Sequence, residues 1–552
     1  MERRTATRPL CRAPGLILIA VCVLLLTPAV ALGVDGVPLY PPGIDANYAW
    51  TSMEHPDMSG PILTFEIFGL SDPASPPVVK NSTARIMFWN AANGFNRNIG
   101  SEVPGLPDGA DQRHSSVIDR GGDVYIVWQQ WNDPFTATRD IWLWRGDEQG
   151  NTDLGFPMLL VEGPAGSNQY APEIGISKTS SGNHLIVTWA DDRDTAGAST
   201  EIYMLDLTAN TDGDANPNYL EPGFDPIYAG DRVDPGGDPV QGQHDPVVGA
   251  KGIFWLDERE AAAPGNADVY RADLAGSAPV VSKFWTNPTD YEVISPRPTG
   301  EGAAWLGPGI AGGPYEPWVK KPGGGAGIIT TLSAPWAFDV YGMRFAVTGG
   351  HGGNTSGDED IFYYDKATKQ NVPVCDVGDP NLDWLKIQTT PTISYAPGGS
   401  RVIWADSRQF TNSAATDHGS LAFELYVALV PIVKETASKT TIRLGKTLTL
   451  GTKVTPNFKG YRVKFQKGTR HSFTHPYLLG GEQVWYTNWT TLKTKALSNA
   501  SKASWRWKPT KKGTYWVRAW FVGGKKYVDV QNAHRKVPHV PNTSKVITIV
   551  VR

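Results

Sequence analysis

The chain has 552 residues and a net charge of −4, with 40% hydrophobic residues, 59 Gly, 43 Pro and 20 Trp. This length is sufficient for two domains with well-buried cores. The Gly, Pro and Trp content favours a turn-rich, all-β protein, and the lack of sustained helical periodicity after residue 31 excludes a helical bundle.

Residues 1–31 have the composition of an export signal. Residues 1–15 carry four arginines, residues 16–26 form an apolar run, and Ala29-Val30-Ala31 matches a cleavage site. Because the run is shorter than a typical membrane-spanning helix, we expect the segment to be removed. The mature protein is therefore predicted to be exported, either extracellular or at the cell surface, with no transmembrane segment. Its single cysteine, Cys375, excludes an internal disulfide and is predicted to be a core residue of an outer strand.

A tryptophan-containing motif recurs three times within residues 32–431. Trp189, Trp255 and Trp404 each end an apolar strand, with Asp at the second position after the tryptophan and Arg at the fourth. A loop then leads to a strand that opens with an acid, an aliphatic residue and Tyr, as in Glu201-Ile202-Tyr203. An earlier strand of the repeat often begins with Pro, as in the segments Pro172-Glu173-Ile174, Pro246-Val247-Val248 and Pro391-Thr392-Ile393. One repeat therefore contains three strands, with room for a fourth.

Weaker copies of the motif fill the gaps between these three. They centre on Trp50, Trp128, Trp305 and Val347. The first copy is expected to open its later strand at Glu66-Ile67-Phe68, and in the Trp305 copy Pro317 is unfavourable for a central strand. Four short antiparallel strands, repeated six or seven times, predict an all-β protein whose residues 32–431 form a β-propeller.

The reason for the repetition is burial. A twisted four-stranded sheet has two apolar faces, so neighbouring sheets pack radially until the ring closes. The tryptophans are predicted to pack between neighbouring sheets, and the Asp and Arg of each motif to form a bidentate ion pair across the adjoining turn. A strand within residues 35–110 is expected to close the ring with the last sheet. The motif residues are then structural, and the loops remain the candidates for function.

The repeat resembles that of TolB-type propellers, which have WD40/PD40-like repeats. That repeat contains Pro, an aliphatic strand, a turn, a strand ending in an aromatic residue, Asp-x-Arg and then Asp-Ile-Tyr. The segment from Ser394 to Ser400, before Trp404, is similar to that family's Ser-Pro-Asp-Gly turn. The resemblance covers roughly residues 35–430 and implies the fold, but propellers host unrelated activities. The long loops, the missing Ser-Pro-Asp-Gly turns and the extra C-terminal domain differ from TolB and argue against a Tol-Pal role.

Residues 210–221 have the ligand spacing of a calcium-binding loop. The candidate ligands are Asn210, Asp212, Asp214, Asn216, Asn218 and Glu221. Oxygen-bearing side chains at this spacing can surround Ca²⁺, which prefers six to eight oxygen ligands. The stretch also resembles the Asp-rich calcium repeats of thrombospondin type 3. Asn210 in place of the usual Asp, and Ala215 in place of the usual Gly, leave a solvated polar loop as the alternative.

The composition changes abruptly near Pro431. Residues 432–552 contain 24 Lys and Arg against three acids, a net charge of +21, whereas residues 32–431 contain 23 basic and 51 acidic residues, a net of −28. Roughly seven alternating segments predict an Ig-like β-sandwich over residues 432–552. The stretch from Lys508 to Ala519, which contains Gly513-Thr514-Tyr515, also resembles bacterial Ig-like domains of secreted proteins.

The basic domain is predicted to bind an anionic polymer of the cell surface, such as wall teichoic acid, acidic glycan, lipid headgroups or extracellular DNA. Its aromatic residues are compatible with stacking on sugars or bases. They are Trp485, Trp489, Trp505, Trp507, Trp516 and Trp520. The alternatives are docking on the acidic propeller, simple solvation of a surface and, for any one tryptophan, a place in the sandwich core.

The sequence contains none of the usual catalytic motifs: no Gly-x-Ser-x-Gly, His-Glu-x-x-His, phosphate loop or sialidase Asp-box. We therefore expect a non-catalytic propeller that binds a protein or glycan as a scaffold. The alternative is a secreted glycosidase or lyase with two or three carboxylates at the propeller axis. Carboxylates converging with exposed aromatic residues favour the enzyme, and an axis filled by apolar side chains favours the scaffold. His114, His244 and His351 are candidate ligands, although isolated histidines are usually ordinary turn residues.

Overall fold

The computed structural model places most of the chain after residue 36 in strands and turns. The described residues are 37–38, 51–70, 79–90, 95–106, 110–131, 138–151, 157–163, 166–194, 199–208, 231–234, 242–259, 266–286, 293–299, 302–308, 315–328, 335, 337–350, 359–366, 370–375, 388–396, 399–406, 424–474, 483–530, 533–539 and 542–552. A 3-10 turn, Ile99–Glu102, interrupts the strands. None of these ranges contains a helix long and apolar enough to cross a bilayer. The predicted export signal, the predicted calcium loop and His351 lie outside them.

Seven consecutive antiparallel sheets, with strands paired in chain order, form the propeller in the described part of the chain. The strands of sheets 1 to 3 are β2 (Thr51–Ser59), β3 (Ile62–Leu70), β4 (Val79–Asn90), β5 (Asn96–Arg97), β6 (Asp111–Arg120), β7 (Asp123–Trp131), β8 (Arg139–Asp147), β9 (Met158–Val161), β10 (Gln169–Lys178), β11 (Asn183–Asp191), β12 (Glu201–Asp206) and β13 (Asp231–Arg232). Those of sheets 4 to 6 are β14 (Gln243–Gly249), β15 (Gly252–Asp257), β16 (Asp268–Asp273), β17 (Val280–Trp285), β18 (Ile294–Thr299), β19 (Gly302–Pro308), β20 (Tyr315–Lys320), β21 (Gly327–Ile328), β22 (Phe338–Tyr341), β23 (Arg344–Gly350), β24 (Glu359–Asp365) and β25 (Gln370–Cys375).

The seventh sheet closes the ring. It consists of β26 (Gln388–Ala396), β27 (Gly399–Asp406) and β28 (Glu424–Ala437), and β28 is joined by the N-terminal strand β1 (Val37–Pro38). The first and seventh sheets share one apolar core, in which Phe65 and Trp89 meet Ile403. Across the same seam, the Ser394 hydroxyl donates a hydrogen bond of 2.7 Å to the carbonyl of Gly60. The predicted all-β propeller, including its closing strand from residues 35–110, is confirmed.

The seams between sheets contain the tryptophans of the repeat. Trp189, Trp255 and Trp404 are fully buried. Trp404 shares a cluster with Ile361 and Tyr363 of the sixth sheet, and the other two pack in the same way against the sheet before their own. A buried side chain of this size stabilises each seam by about 3 kcal/mol. The packing that the repeat predicts is therefore present.

The Asp and Arg of the motif belong to a larger network than the predicted ion pair. Asp191 accepts hydrogen bonds from the Trp189 indole at 2.9 Å and from Arg193 Nε at 2.8 Å. The Arg193 guanidinium also stacks 4.4 Å above the ring of Tyr203. The same network recurs in the next sheet with Trp255, Asp257, Arg259 and Tyr270. Because the Asp191 side chain is fully buried, its charge requires these donors.

The expected organisation of the first repeat is wrong. Glu66-Ile67-Phe68 lies in β3, the second strand of its sheet, and the third strand is β4. The seam position of this sheet is occupied by Phe65, and Trp50 lies outside the described residues. The first copy, which has Phe65 where most other repeats have tryptophan, was therefore placed one strand out of phase.

Pro317 was also misjudged, since it lies in β20, the third of four strands, opposite Leu306. The outer strand β21 pairs with Trp318 and Val319 and stops short of Pro317. Within the described residues, the part of β20 that contains Pro317 has no outer partner strand, so it behaves as an edge where the missing N–H of proline is tolerated.

The C-terminal residues form two sheets packed face to face. One contains the end of β28 with β30 (Leu448–Thr455) and β33 (Lys502–Trp507). The other contains, in order, β29 (Thr441–Ile442), β38 (Ile547–Val551), β34 (Gly513–Phe521), β31 (Arg462–Thr474) and β32 (Gln483–Ala496), with β37 (Asn542–Thr543) beside β34. The hairpin β35 (Gly524–Val530) and β36 (Ala533–His539) attaches to β28. The two faces share an apolar core that includes Leu450, Phe465 and Phe521.

The single strand β28 connects the two parts of the molecule. It pairs with β27 as far as Pro431 and with β30 from Ile432 onwards. The change of pairing partner coincides with the change of charge at Pro431. The last propeller sheet therefore continues into the C-terminal sheets without an intervening linker.

Candidate functional site: the axial channel

The first strands of all seven sheets line one cavity of about 870 Å³ along the axis of the ring. A closed ring of sheets leaves such a space because each inner strand ends its sheet there. The lining is mixed: apolar residues such as Val117 and Val248 alternate with carboxylates, an arginine and histidines. Tyr341 is 43% exposed at this cavity. The axis is therefore an open, partly polar channel.

Six of the seven inner strands have a β-bulge at the same position. A register shift interrupts β2, β6, β10, β14, β18 and β26. Five of the six described non-glycine residues with positive φ lie at this bulge. They are His55, His114, Ala171, Asp245 and Thr390. Histidine and aspartate are among the residues that adopt this conformation most readily, though each such residue costs about 1 kcal/mol or more. Repeated bulges of this kind redirect the side chains on either side of them.

One layer of the channel is formed by one residue of each inner strand, which in six of the seven sheets is the first paired residue after the bulge. In every sheet this residue pairs with the residue of the second strand that directly precedes the one at the seam. The seven positions are therefore equivalent. They are Asp57, Ser116, Glu173, Val247, Arg297, Asp339 and Thr392, and all but Ser116 line the cavity. We call these seven residues the axial ring. It brings three carboxylates and one guanidinium to the same level of the channel.

Two of these carboxylates also satisfy the inner edges of neighbouring sheets. Asp57 Oδ2 accepts a 2.8 Å hydrogen bond from the Val117 N–H, and Asp339 Oδ2 accepts one of 2.8 Å from the Ile393 N–H. The innermost strand of a sheet has unpaired amides on its axial side, and these need acceptors. Asp57 and Asp339 are therefore held in place by the backbone of the next sheet.

The three carboxylates differ in their affinity for protons. Burial, and then the charge of Asp57, raise the pKa of Glu173 to about 8. Burial, and then the charge of Asp339, raise the pKa of Asp57 to about 6. Burial also raises the pKa of Asp339, although Arg297, whose Nε lies 3.8 Å from Asp339 Oδ1, opposes this. At neutral pH the channel therefore combines a protonated Glu173 with an ionised Asp57.

A second polar group surrounds the bulges. His55 Nδ1 lies 3.1 Å from Glu66 Oε2, the other oxygen of Glu66 accepts the His114 N–H at 2.9 Å, and the two imidazoles stack with centroids 6.1 Å apart. The hydrogen bond from His55 keeps the pKa of Glu66 low despite its burial. On the opposite side, His244 Nδ1 lies 3.1 Å from Asp245, and this contact outweighs burial and raises the pKa of His244.

The predicted ligands fall in different places. His114 and His244 lie in this second group, and no cluster of three or more His, Cys, Asp or Glu suited to a metal occurs in the described ranges. The calcium candidates Asn210 to Glu221 lie outside those ranges, so the calcium loop stays a prediction.

The sequence analysis missed the axial ring as a site, although three of its residues, Glu173, Val247 and Thr392, lie in the segments that it identified as strand openers. The usable signal is a polar residue directly after the proline of an inner strand. It occurs as Pro56-Asp57, Pro172-Glu173, Pro296-Arg297 and Pro391-Thr392.

No family model and no curated protein matches this chain. Several solved structures do. Pyrococcus horikoshii acylaminoacyl peptidase is 10% identical over 74% of this chain with a TM-score of 0.39, and Penicillium chrysogenum α-L-arabinanase is 13% identical over 72% with a TM-score of 0.34. A mutant Trypanosoma rangeli sialidase is 10% identical over 90% with a TM-score of 0.35. The match covers 59% of the peptidase, 98% of the arabinanase and 90% of the sialidase.

The expectation that the protein is not an enzyme is contradicted by this comparison, because all three similar structures are enzymes. At these identities the likeness concerns the fold and assigns no substrate to this chain. The expectation rested on the absence of short catalytic motifs. The axial carboxylates Asp57, Glu173 and Asp339 come from three separate sheets and lie far apart in sequence, so no short motif can contain them.

Proposed function

We propose that the protein is an exported glycoside hydrolase whose active site is the axial channel. The observation that carries this proposal is the pair Glu173 and Asp57, whose pKa values are pushed apart to about 8 and about 6 within one open channel. Two carboxyl groups with separated pKa values are what glycoside hydrolysis requires, one as general acid and one as base or nucleophile.

In this mechanism Glu173 donates its proton to the glycosidic oxygen as the bond to the anomeric carbon breaks. Asp57, ionised and oriented by the Val117 amide, either removes a proton from the attacking water or attacks the anomeric carbon directly. Asp339 and Arg297 form an ion pair within the axial ring and offer polar contacts to sugar hydroxyls. Tyr341 supplies an exposed ring on which a sugar can stack.

The test is release of reducing ends by the full-length protein from neutral, acidic and amino-sugar polysaccharides. Glu173→Gln and Asp57→Asn should each lower the rate by about 100-fold or more. The wild-type rate should be greatest between pH 6 and pH 8, since Asp57 must be ionised and Glu173 protonated. Lyase chemistry would instead yield an unsaturated sugar product.

The matched control is Glu316→Gln, because burial also raises the pKa of Glu316 but this residue lies on β20, away from the channel lining. Its activity should equal that of the wild type. Failure of all three polysaccharide classes, or full activity of both channel variants, would refute the proposal.

We further propose that residues 432–552 are an Ig-like module that attaches the enzyme to an anionic surface polymer, and that the propeller is of the TolB type. The module has a net charge of +21. Its outer face carries cation–aromatic pairs: Lys464 Nζ lies 4.4 Å from the centre of the Trp520 ring, and the Arg518 guanidinium lies 4.0 Å from that of Trp489. Trp505 and Trp507 instead contact the sandwich core, where they can support the fold but not binding.

Binding of the full-length protein to purified cell walls or heparin tests this attachment. Lys464→Ala combined with Trp489→Ala should weaken binding, and the loss should shrink as salt is raised. Lys453→Ala, an exposed lysine on the other sheet, is the control and should bind like the wild type. Equal binding of all three proteins would exclude this face.

A further inference from the structure

A second group of reactive side chains lies away from the axial channel, at the turn between β10 and β11, the start of β11 and the end of β12. The Ser181 hydroxyl oxygen is 2.8 Å from His184 Nε2, and His184 Nδ1 is 2.5 Å from Asp206 Oδ2. The order hydroxyl, imidazole, carboxylate, with the imidazole bonded through both nitrogens, is the arrangement of serine hydrolases. Such a triad is recognised by its geometry and occurs on unrelated folds.

The carboxylate of this group is oriented by its own strand end. The backbone N–H and the hydroxyl of Thr208 each donate to Asp206 Oδ1 at 2.9 Å. This occupies one oxygen and directs the other, Oδ2, to His184. With Nδ1 held by the carboxylate, Nε2 is the nitrogen that can accept a proton from Ser181.

Ser181 lies at the edge of a cavity of about 500 Å³ between the third and fourth sheets. Ile186, Met204 and Leu274 supply an apolar wall, and residues 276–278 of the turn after β16 line the other side. This cavity shares no lining residue with the axial channel. Ser181 itself is exposed, so a ligand can approach its oxygen.

The hairpin turn alone does not account for this arrangement. The turn is closed by the Thr179 N–H, which donates to the Gly182 carbonyl at 2.7 Å, and Thr179 Oγ1 lies 3.2 Å from Ser181 Oγ. These contacts order Ser181. They do not explain why Ser181, His184, Asp206 and Thr208 form a continuous chain of hydrogen bonds beside a cavity.

We propose that Ser181, His184 and Asp206 form a second catalytic site that hydrolyses short-chain carboxylic esters. Ser181 Oγ attacks the ester carbonyl carbon while His184 Nε2 takes its proton, and that proton passes to the departing alcohol. Water then attacks the acyl carbon and gives a proton to His184. Release of the carboxylic acid returns that proton to Ser181 Oγ, so one ester and one water yield one acid and one alcohol. Ser181 and His184 are catalytic residues and Asp206 is a positioning residue.

The experiment is labelling of the full-length protein with a fluorophosphonate, which phosphonylates activated serines, followed by peptide mass spectrometry. We expect the label on Ser181, and none after Ser181→Ala. Ser180→Ala removes the adjacent exposed serine of the same turn and should leave labelling unchanged. Glu173→Gln should also leave it unchanged, so this site and the axial channel are tested separately.

Hydrolysis of p-nitrophenyl acetate provides the kinetic test. His184→Ala should lower kcat by at least about 100-fold. Asp206→Asn should lower kcat with little change in KM, whereas a merely structural role would change neither at preserved fold, as judged by circular dichroism. An unlabelled Ser181 in the folded wild type, or equal labelling and hydrolysis in His184→Ala, would overturn the proposal.

Discussion

Replacing Glu173 by Gln should make the protein more stable at neutral and alkaline pH. In the folded protein burial and Asp57 raise the pKa of Glu173 to about 8 from 4.5. Glutamine is neutral and nearly the same shape, so it imitates the protonated acid that the folded channel prefers. The substitution removes the cost of ionising this group inside the channel.

The sign and size of the effect follow from proton linkage. Below pH 4.5 the carboxyl is protonated in both folded and unfolded chains, so wild type and variant should be equally stable. Above it the unfolded chain loses the proton first, so wild-type stability falls as pH rises, until the folded group also ionises near pH 8. At about 1.4 kcal/mol per pKa unit, the variant should gain at most about 3 kcal/mol at pH 7 and about 5 kcal/mol at pH 9. Part of this gain in stability comes from the lost repulsion between the charges of Glu173 and Asp57.

The assay is urea unfolding from pH 4 to pH 9, with Glu162→Gln as control because Glu162 follows the outer strand β9, away from the channel. The difference between Glu173→Gln and wild type should grow with pH, whereas the control curve should follow the wild type. A flat difference, or a Glu173→Gln variant less stable than wild type at pH 8, would refute the assignment of a raised pKa to this carboxyl.

The remaining predictions concern the seams and the loop. Asp191→Asn should cost about 3 kcal/mol in urea unfolding, because it leaves the largely buried Arg193 guanidinium without its anion; a cost as small as that of Asp231→Asn, at an exposed strand position, would mean that the network adds nothing. Trp189→Ala should cost about 4 kcal/mol by opening a cavity between the second and third sheets, and an unchanged denaturation midpoint would contradict that packing. If residues 210–221 bind Ca²⁺, calcium should raise the melting temperature and EDTA should remove the increase. Identical midpoints with and without the ion would reject a stabilising site.

The parts of the fold that sequence reasoning predicted are those in which each repeat carries its own burial pattern. Trp189, Trp255 and Trp404 mark the ends of second strands because a large apolar residue is needed at every seam. In the first sheet, where Phe65 takes the place of that marker, the strands were misassigned. Pro317 shows a second limit of sequence reasoning. Whether a proline is tolerated in β20 depends on which residues of β20 pair with β21, and the sequence does not show this.

The candidate site was predictable only in outline. The alternative of carboxylates at the axis was stated, but with 51 acids in residues 32–431 nothing singled out Glu173 or Asp57. Their pKa values depend on mutual proximity and burial, and both arise when strands from separate sheets meet at the axis. Ser181 and His184 are close in sequence, yet only the conformation of the hairpin turn aligns the Ser181 hydroxyl with His184, and Asp206 joins them from another strand.

By itself, the sequence determined that this chain repeats a strand pattern which cannot bury its faces alone, and that its charge is divided at Pro431. Periodic hydrophobicity and composition are local properties, so they can be read without coordinates. Only the tertiary structure decided which carboxyl groups face one another and which of them retain a proton at neutral pH. Charges interact through space and through the local dielectric, and ring closure brings Asp57, Glu173 and Asp339 to one level of the channel.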